Sequence, residues 1–358
     1  YRHSMDQAPT SLDPTQAANV YANHVVVNAY DTLYSYKYLA RPYALKPNLA
    51  AALPEISADG LVYRIRLKTG VRFIDDPCFP GGRGREVVAQ DVVYSLQRQF
   101  DPANQPQGAW FWSGRIVGLD AWKAAGSDYD QPVPGLRALD RHTLEIRLTR
   151  PYPQLPDTLA QGYSAVVPRE AAEYYGKQLG VHPVGSGPFR VVAYDTARVV
   201  MVRNGHYRQE PVDLAAEGYD PATQAYTGVA AIAGRAPPFV DRLEIDFIGE
   251  PSAAWTSFTK GDEIQYSTLP VEQVDRVLAS RDPVTSTRRA TTCRPGPRPA
   301  SSSPSSTWTS RTSATTRTRS APAATAPCAA RSSRPTTGTR TTPAGTSAWR
   351  GSSPASSS

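Results

Sequence analysis

Cysteine is scarce in this 358-residue chain: Cys78, Cys293 and Cys328 are the only three. Two of them fall in the last 74 residues, which leaves the body one thiol. One thiol closes no internal disulfide, and there is no CxxC pair to hold a metal. The five histidines, His3, His24, His142, His182 and His206, show neither HxH nor HExxH spacing, so no metal site is expected. No apolar run approaches the roughly 18 residues of a membrane span. There is no starting Met and no signal peptide, so the first residues are expected to be missing or processed. Gly81-Gly82-Arg83-Gly84 lacks the Lys-Ser/Thr of a phosphate loop, and Gly185-Ser186-Gly187 lacks the GxSxG pattern of a nucleophile elbow. The carboxylate pairs Asp75/Asp76, Asp128/Asp130 and Asp262/Glu263 sit in turns, where acids are ordinary. With no nucleophile–base constellation, neither an enzyme nor a cofactor is expected.

The most extensive absence begins at Thr285. Residues 285–358 contain only Thr, Ser, Ala, Arg, Pro, Gly, Cys and Trp. Those eight types share C or G at the second codon position. A GC-rich gene read one base out of frame would yield this composition, so a frameshift after Val284 is expected. A genuine Ser/Arg/Pro-rich disordered segment is the other reading. Either way the tail is expected to be disordered, because it cannot bury a core. It also distorts the charge. Its 11 Arg carry the overall +7, while residues 1–284 hold 28 basic against 32 acidic residues, a net charge of about −4. A basic-tailed nucleic-acid-binding protein is the alternative functional reading. Without Lys or aromatic interleaving it is the weaker one, and no nucleic-acid partner is expected.

What is present intermixes strands and helices and reads as α/β or α+β. Val20–Leu39 places Val27, Tyr30, Tyr34 and Tyr38 at helical spacing, which predicts an amphipathic helix packed by its tyrosines. Leu61–Phe73 alternates Leu61, Tyr63, Ile65 and Leu67 with Arg64, Arg66 and Lys68, as a half-buried strand does. Asp91 stands at a predicted N-cap before Val93, Leu96 and Phe100. Trp110-Phe111-Trp112 is an aromatic cluster in a loop; its indoles either pack internally or line a pocket. Thr143–Leu148 and Phe239–Ile248 alternate as strands. Helices are predicted from Arg169, from Pro251 to Gly261, and from Pro270. His182–Tyr207 reads as a small-residue loop, Gly185-Ser186-Gly187-Pro188, opening onto a hairpin of Phe189–Tyr194 and Val199–Val202.

These pieces come in an order that resembles the family 5 extracytoplasmic solute-binding proteins, the peptide- and nickel-binding receptors of ABC importers. Ser11-Leu12-Asp13-Pro14 resembles the opening "lDP", and Tyr30-Asp31-Thr32-Leu33 resembles "YExL" with Asp for Glu. Pro47-Asn48-Leu49-Ala50, Asp59-Gly60-Leu61 and Leu67–Phe73 resemble "P-x-LA…DGl…f-L+-gvkF". Ala89–Leu96 resembles "tA-x-DVvySl". Pro183–Phe189 resembles "PvGTGPy" with Ser for Thr, and Arg203-Asn204 with Tyr207 resembles "RN-x-x-Y". Ala253, Phe258 and Lys260-Gly261-Asp262 resemble the "a…l-x-x-Ge-D" helix. The likeness spans residues 10–280 and none of the tail.

The resemblance implies a type II periplasmic-binding-protein fold with two lobes and an extra domain. Its first lobe would be 1–40 plus 164–270, and its additional domain 41–163. The second lobe would start in 271–284 and be missing beyond. Gly185–Pro188 would return the chain to the first lobe near the cleft floor. Substrate contacts are expected from Asn19, Tyr21, Trp110, Trp112, Gly185 and Ser186. The implied function is the periplasmic substrate-binding component of an importer, with a peptide or other small solute and a membrane permease as partners. A monomer is expected, and a product inactive for want of its second lobe.

Overall fold

The computed structural model describes residues 1–17, 19–261 and 264–274. The expectations of a frameshift after Val284, of a disordered tail and of an absent second lobe fall on residues outside these.

Among the described residues there are ten strands: β1 (Arg2–Met5), β2 (Tyr34–Tyr36), β3 (Leu45–Pro47), β4 (Glu55–Ile56), β5 (Val62–Arg66), β6 (Leu136–Ala138), β7 (Thr143–Arg147), β8 (Phe189–Tyr194), β9 (Arg198–Arg203) and β10 (Arg242–Phe247). The helices are α1 (Val20–Ala29), α2 (Ala89–Arg98), α3 (Leu119–Ala124), α4 (Leu155–Thr158), α5 (Arg169–Tyr175), α6 (Pro221–Gln224) and α7 (Pro251–Lys260). One sheet runs β1-β10-β9-β8, with β1 parallel to β10 and the other pairs antiparallel. A second, antiparallel sheet runs β4-β5-β7-β6, and β2 pairs with β3. One apolar core extends from Leu12, Val25 and Met201 through Phe73 to Ile65 and Ile146.

The hairpin predicted for His182–Tyr207 is β8–β9, with Asp195 capping the turn by accepting from the Ala197 and Arg198 amides. β5 buries Tyr63 and Ile65 and exposes Arg64 and Arg66, as its alternation requires, and ends at Arg66, ahead of Thr69-Gly70. α7 ends at Gly261, whose φ of 80° suits a residue without Cβ.

Two expectations need correction. The helix predicted over Val20–Leu39 stops at Ala29, and Val27 is exposed. Tyr30 is extended at φ −119°, and the Ala29 carbonyl accepts from the Gly187 amide. Tyr30 and Tyr34 are buried, but from a loop and from β2, so their helical spacing reports no helix. Asp91 sits three residues inside α2, where its carboxylate reaches back to the Val88 amide at 2.8 Å; Val88 holds the cap position. Of the helix predicted from Pro270, the described residues hold only the opening, a 3₁₀ turn at Val271–Gln273; the remainder lies outside them.

Candidate functional site

α1 is the axis of the site. Ten residues at 1.5 Å rise make it about 15 Å long. Of the six residues expected to touch substrate, Asn19 and Tyr21 lie at its N-terminal end and Gly185 and Ser186 at its C-terminal end.

At the C-terminal end of α1 the chain is packed too closely for side chains. A Cβ on Gly185 would lie 2.2 Å from the Ala29 carbonyl oxygen, and one on Gly187 would lie 2.6 Å from the Ala29 carbonyl carbon. Neither glycine has a positive φ, so proximity and not backbone angle demands glycine there. Between them Ser186 is 1% exposed, and its hydroxyl donates to Asp31 Oδ2 at 3.0 Å. Arg208 reaches the same carboxylate with both terminal nitrogens, at 2.8 and 3.1 Å. Asn48 donates to Asp31 Oδ1 at 3.2 Å and accepts from Arg208. Asp31 therefore has four donors, the satisfied arrangement a buried carboxylate requires. Burial opposes the charge on Arg208, but Asp31 outweighs it and raises the guanidinium pKa. Nearby, Ile74 N donates to Gly185 O at 2.9 Å and the Asn204 amide group to Gly187 O at 2.8 Å. The "YExL", "P-x-LA", "GTGP" and "RN" segments thus meet in one buried knot. Ser186 and Gly185 face protein there, not solvent.

A second set of contacts holds the loop after Phe73. His182 Nε2 lies 2.8 Å from Asp76 Oδ2, and Tyr175 donates to Asp76 Oδ1 at 2.9 Å. His206 Nε2 lies 2.9 Å from Asp75 Oδ2. Burial works to raise the Asp76 carboxyl, but the Cys78 amide, His182 and Tyr175 hold it below its ordinary value. The carboxylates read as ordinary turn acids therefore anchor the two histidines that bound His182–Tyr207. No cluster of three or more metal-ligating side chains occurs among the described residues.

The N-terminal end of α1 is different. Asn19 caps the helix, its Oδ1 accepting from the Ala22 amide at 2.8 Å, and Tyr21 donates to Asp6 at 2.9 Å. Val20 beside them is 62% exposed. The preceding segment is stitched to the aromatic loop: Gln107 N donates to Thr15 O at 2.8 Å and Gln16 Nε2 to Asn104 O at 3.1 Å. Beneath the seam, Arg98 pairs with Asp13 at 2.8 and 3.1 Å, both side chains buried. Burial alone would raise the Asp13 carboxyl; Arg98 and Thr15 hold it below its ordinary value.

In that loop the two indoles part company. Trp112 is 1% exposed and belongs to the core. Trp110 is 63% exposed, with one face stacked on Phe111 at 3.7 Å between centroids. Phe111 contacts Tyr163, which follows Gly162, and a Cβ on Gly162 would strike Asn23 Oδ1 on α1. The aromatic strip thus runs back to the middle of the helix. The sequence reading missed Asn23, Tyr163 and Arg208. Only the glycine at 162, where a helix must be approached closely, marked the first two.

A groove of about 380 Å³ between α2 and α5 lies elsewhere. Arg85, at its floor, is held by Asp91 and Glu170, and Arg169, at its lip, by Glu173 and Asp130. Its cations are already paired within the chain. No helix among the described residues is long and apolar enough to cross a membrane.

Comparison with known proteins places this arrangement. A glutathione-binding protein, GsiB of Escherichia coli O1:K1, is 28% identical over 194 residues, which are 54% of this chain and 32% of that protein. The chain thus spans about a third of the curated relatives it matches. The substrate-binding domain of an oligopeptide ABC transporter from Bacillus anthracis superposes with a TM-score of 0.61 at 19% identity, over 78% of this chain and 47% of that one. The murein tripeptide binding protein MppA of Escherichia coli gives 0.58 at 24%, over 78% and 48%. These likenesses give the fold, that of the type II periplasmic binding proteins. The family model for bacterial extracellular solute-binding proteins, family 5 (middle), matches residues 44–300, and the chain belongs to that family.

Proposed function

We propose that this chain supplies one wall of a solute-binding cleft in a receptor that serves an ABC importer outside the cytoplasm. The observation that carries this reading is the surface formed where 13–17, the first turn of α1 and 102–112 are stitched together. It presents Trp110 and Val20 to solvent above a buried Asp13–Arg98 pair. Peptides or similar small solutes are the ligand class, and a membrane permease is the partner. The names of the relatives, a glutathione-binding protein and two peptide receptors, support that class. In this reading 1–40 with 164–270 form the first lobe and 41–163 the additional domain. Asn19, Tyr21 and Trp110 stand at the ligand side, while Gly185, Ser186 and Trp112 support it from within. The expectation of an inactive product rests on residues outside those described.

One wall binds weakly. Saturation-transfer NMR of glutathione and of tri-alanine with the full chain is expected to show binding with Kd of roughly 1 mM, about −4 kcal/mol. Absence of transfer to both solutes at tens of millimolar would remove the reading.

A further inference from the structure

The groove between α2 and α5 shares no residue with the cleft wall, and its charges do not balance. α2 places Asp91 and Tyr94 three residues apart on one face, and α5 does the same with Glu170 and Glu173. The cations that line the groove are Arg85 and Arg169. Arg85 lies between Asp91 and Glu170, with its four contacts at 2.6–2.8 Å. Arg169 lies between Glu173 and Asp130, at 2.5 and 2.7 Å. Two guanidiniums therefore serve four carboxylates. Burial raises the Asp91 carboxyl pKa even with Arg85 beside it, so the acidic side of the network is the side short of counter-charge. An anion could reach either arginine only by breaking charge-assisted pairs already made. A cation would break none.

A second observation points to a ligand. Tyr94 lines the groove and is only 7% exposed, yet its hydroxyl has no hydrogen-bond partner among the described residues. Charged groups surround it, the buried Arg98–Asp13 pair and the Arg169–Glu173 pair. Burial raises its pKa, so it stays a neutral hydroxyl, free to accept. A phenol this deeply set normally finds a partner. The Tyr94 and Tyr129 rings lie 4.9 Å apart between centroids, an aromatic wall that suits both methylenes and a cation. The cavity, about 380 Å³, is of the size that holds small molecules. Its carboxylates form two stations, Asp91 and Glu170 around Arg85 at the floor, Glu173 and Asp130 around Arg169 at the lip. A compact ammonium has three donors to offer each station and needs no planar fork.

We propose that this groove is a binding site separate from the cleft, taking a small aliphatic diamine whose ammonium ends lie at the two carboxylate stations, with the Tyr94 hydroxyl and ring between them. The site goes beyond the cleft-wall reading and does not depend on it.

The test is ligand-observed NMR on the full chain at pH 7 with three probes of one length and different ends: 1,5-diaminopentane, 1,5-pentanediol and glutarate. The diamine is expected to bind with a Kd of roughly 1 mM, and the diol and the dianion at least about tenfold more weakly. Tyr94→Phe removes only a hydroxyl that bonds nothing in the chain, so its denaturation midpoint should match the parent's. Its diamine Kd should weaken about fivefold or more, as loss of a hydrogen bond to a charged group does. Glu173→Gln, at an exposed side chain, should weaken the diamine about threefold or more. No diamine binding, tighter binding of glutarate, or a diamine Kd unmoved by Tyr94→Phe and Glu173→Gln would each overturn the proposal, and none of them would touch the cleft-wall reading.

Discussion

Asp31 and Asp13 are both buried carboxylates, each gripped by an arginine far away in sequence. Such pairs add little net stability over an apolar substitute, but removing one partner strands the other charge. They fix which segments meet. Asp13 also makes stability depend on pH. Its folded pKa lies below the unfolded value of about 3.9, so its contribution is complete above that value and lost as pH falls through the folded one. Asp13→Asn is expected to cost about 3–5 kcal/mol at pH 7. In denaturant titrations from pH 7 to pH 2, the gap between parent and variant should narrow below about pH 4. A gap constant across that range would show that the charge of Asp13 does not matter.

At the scale of elements, the return loop 185–188 is seated by contact with the end of α1. Gly185→Ala forces a Cβ to within 2.2 Å of the Ala29 carbonyl oxygen, where only backbone can yield. It should lower stability by about 3 kcal/mol, the upper range of overpacking, measured by chemical denaturation. Gly205→Ala, with open space around its Cβ and no positive φ, should stay within about 0.5 kcal/mol. Equal effects would refute the packing account of the loop. Elements set by local chemistry were readable beforehand: the β8–β9 hairpin from its turn, α7 from Pro251 and Gly261, β5 from its alternation. Those set by distant partners were not. The Tyr30 and Tyr34 spacing mimics a helix because residues in a loop and in a strand are also buried, while Tyr38 is 71% exposed. At the end of α1 the Ala29 carbonyl accepts from the amide of Gly187, over 150 residues away. Ser186 was legible as special but not as buried, since its partners Asp31 and Arg208 come from other segments. Trp110 and Trp112 look alike in sequence, and only packing tells the exposed indole from the core residue.

For the molecule as a whole, the motifs at 30–33, 47–50, 183–189 and 203–207 and the surface proposed for the ligand occupy opposite ends of α1. The motif residues weld the return loop, β2–β3 and the segment after β9 into a frame. The wall, built from 13–24 and 102–112, has the open aromatic face and the amides. This separation explains how the family could be legible while the ligand was not: the frame is written in glycines and paired charges, the wall in amides common on any surface. Hydrogen–deuterium exchange of the full chain, with and without 20 mM N-acetyl-trialanine amide or cellobiose, tests the assignment most directly. The expected result is ligand protection, with at least one of the two solutes, confined to peptides covering 13–24 and 102–112, and none across 183–190. Protection centred on the α2–α5 groove or on the Gly185–Pro188 loop, with 102–112 unchanged, would contradict it.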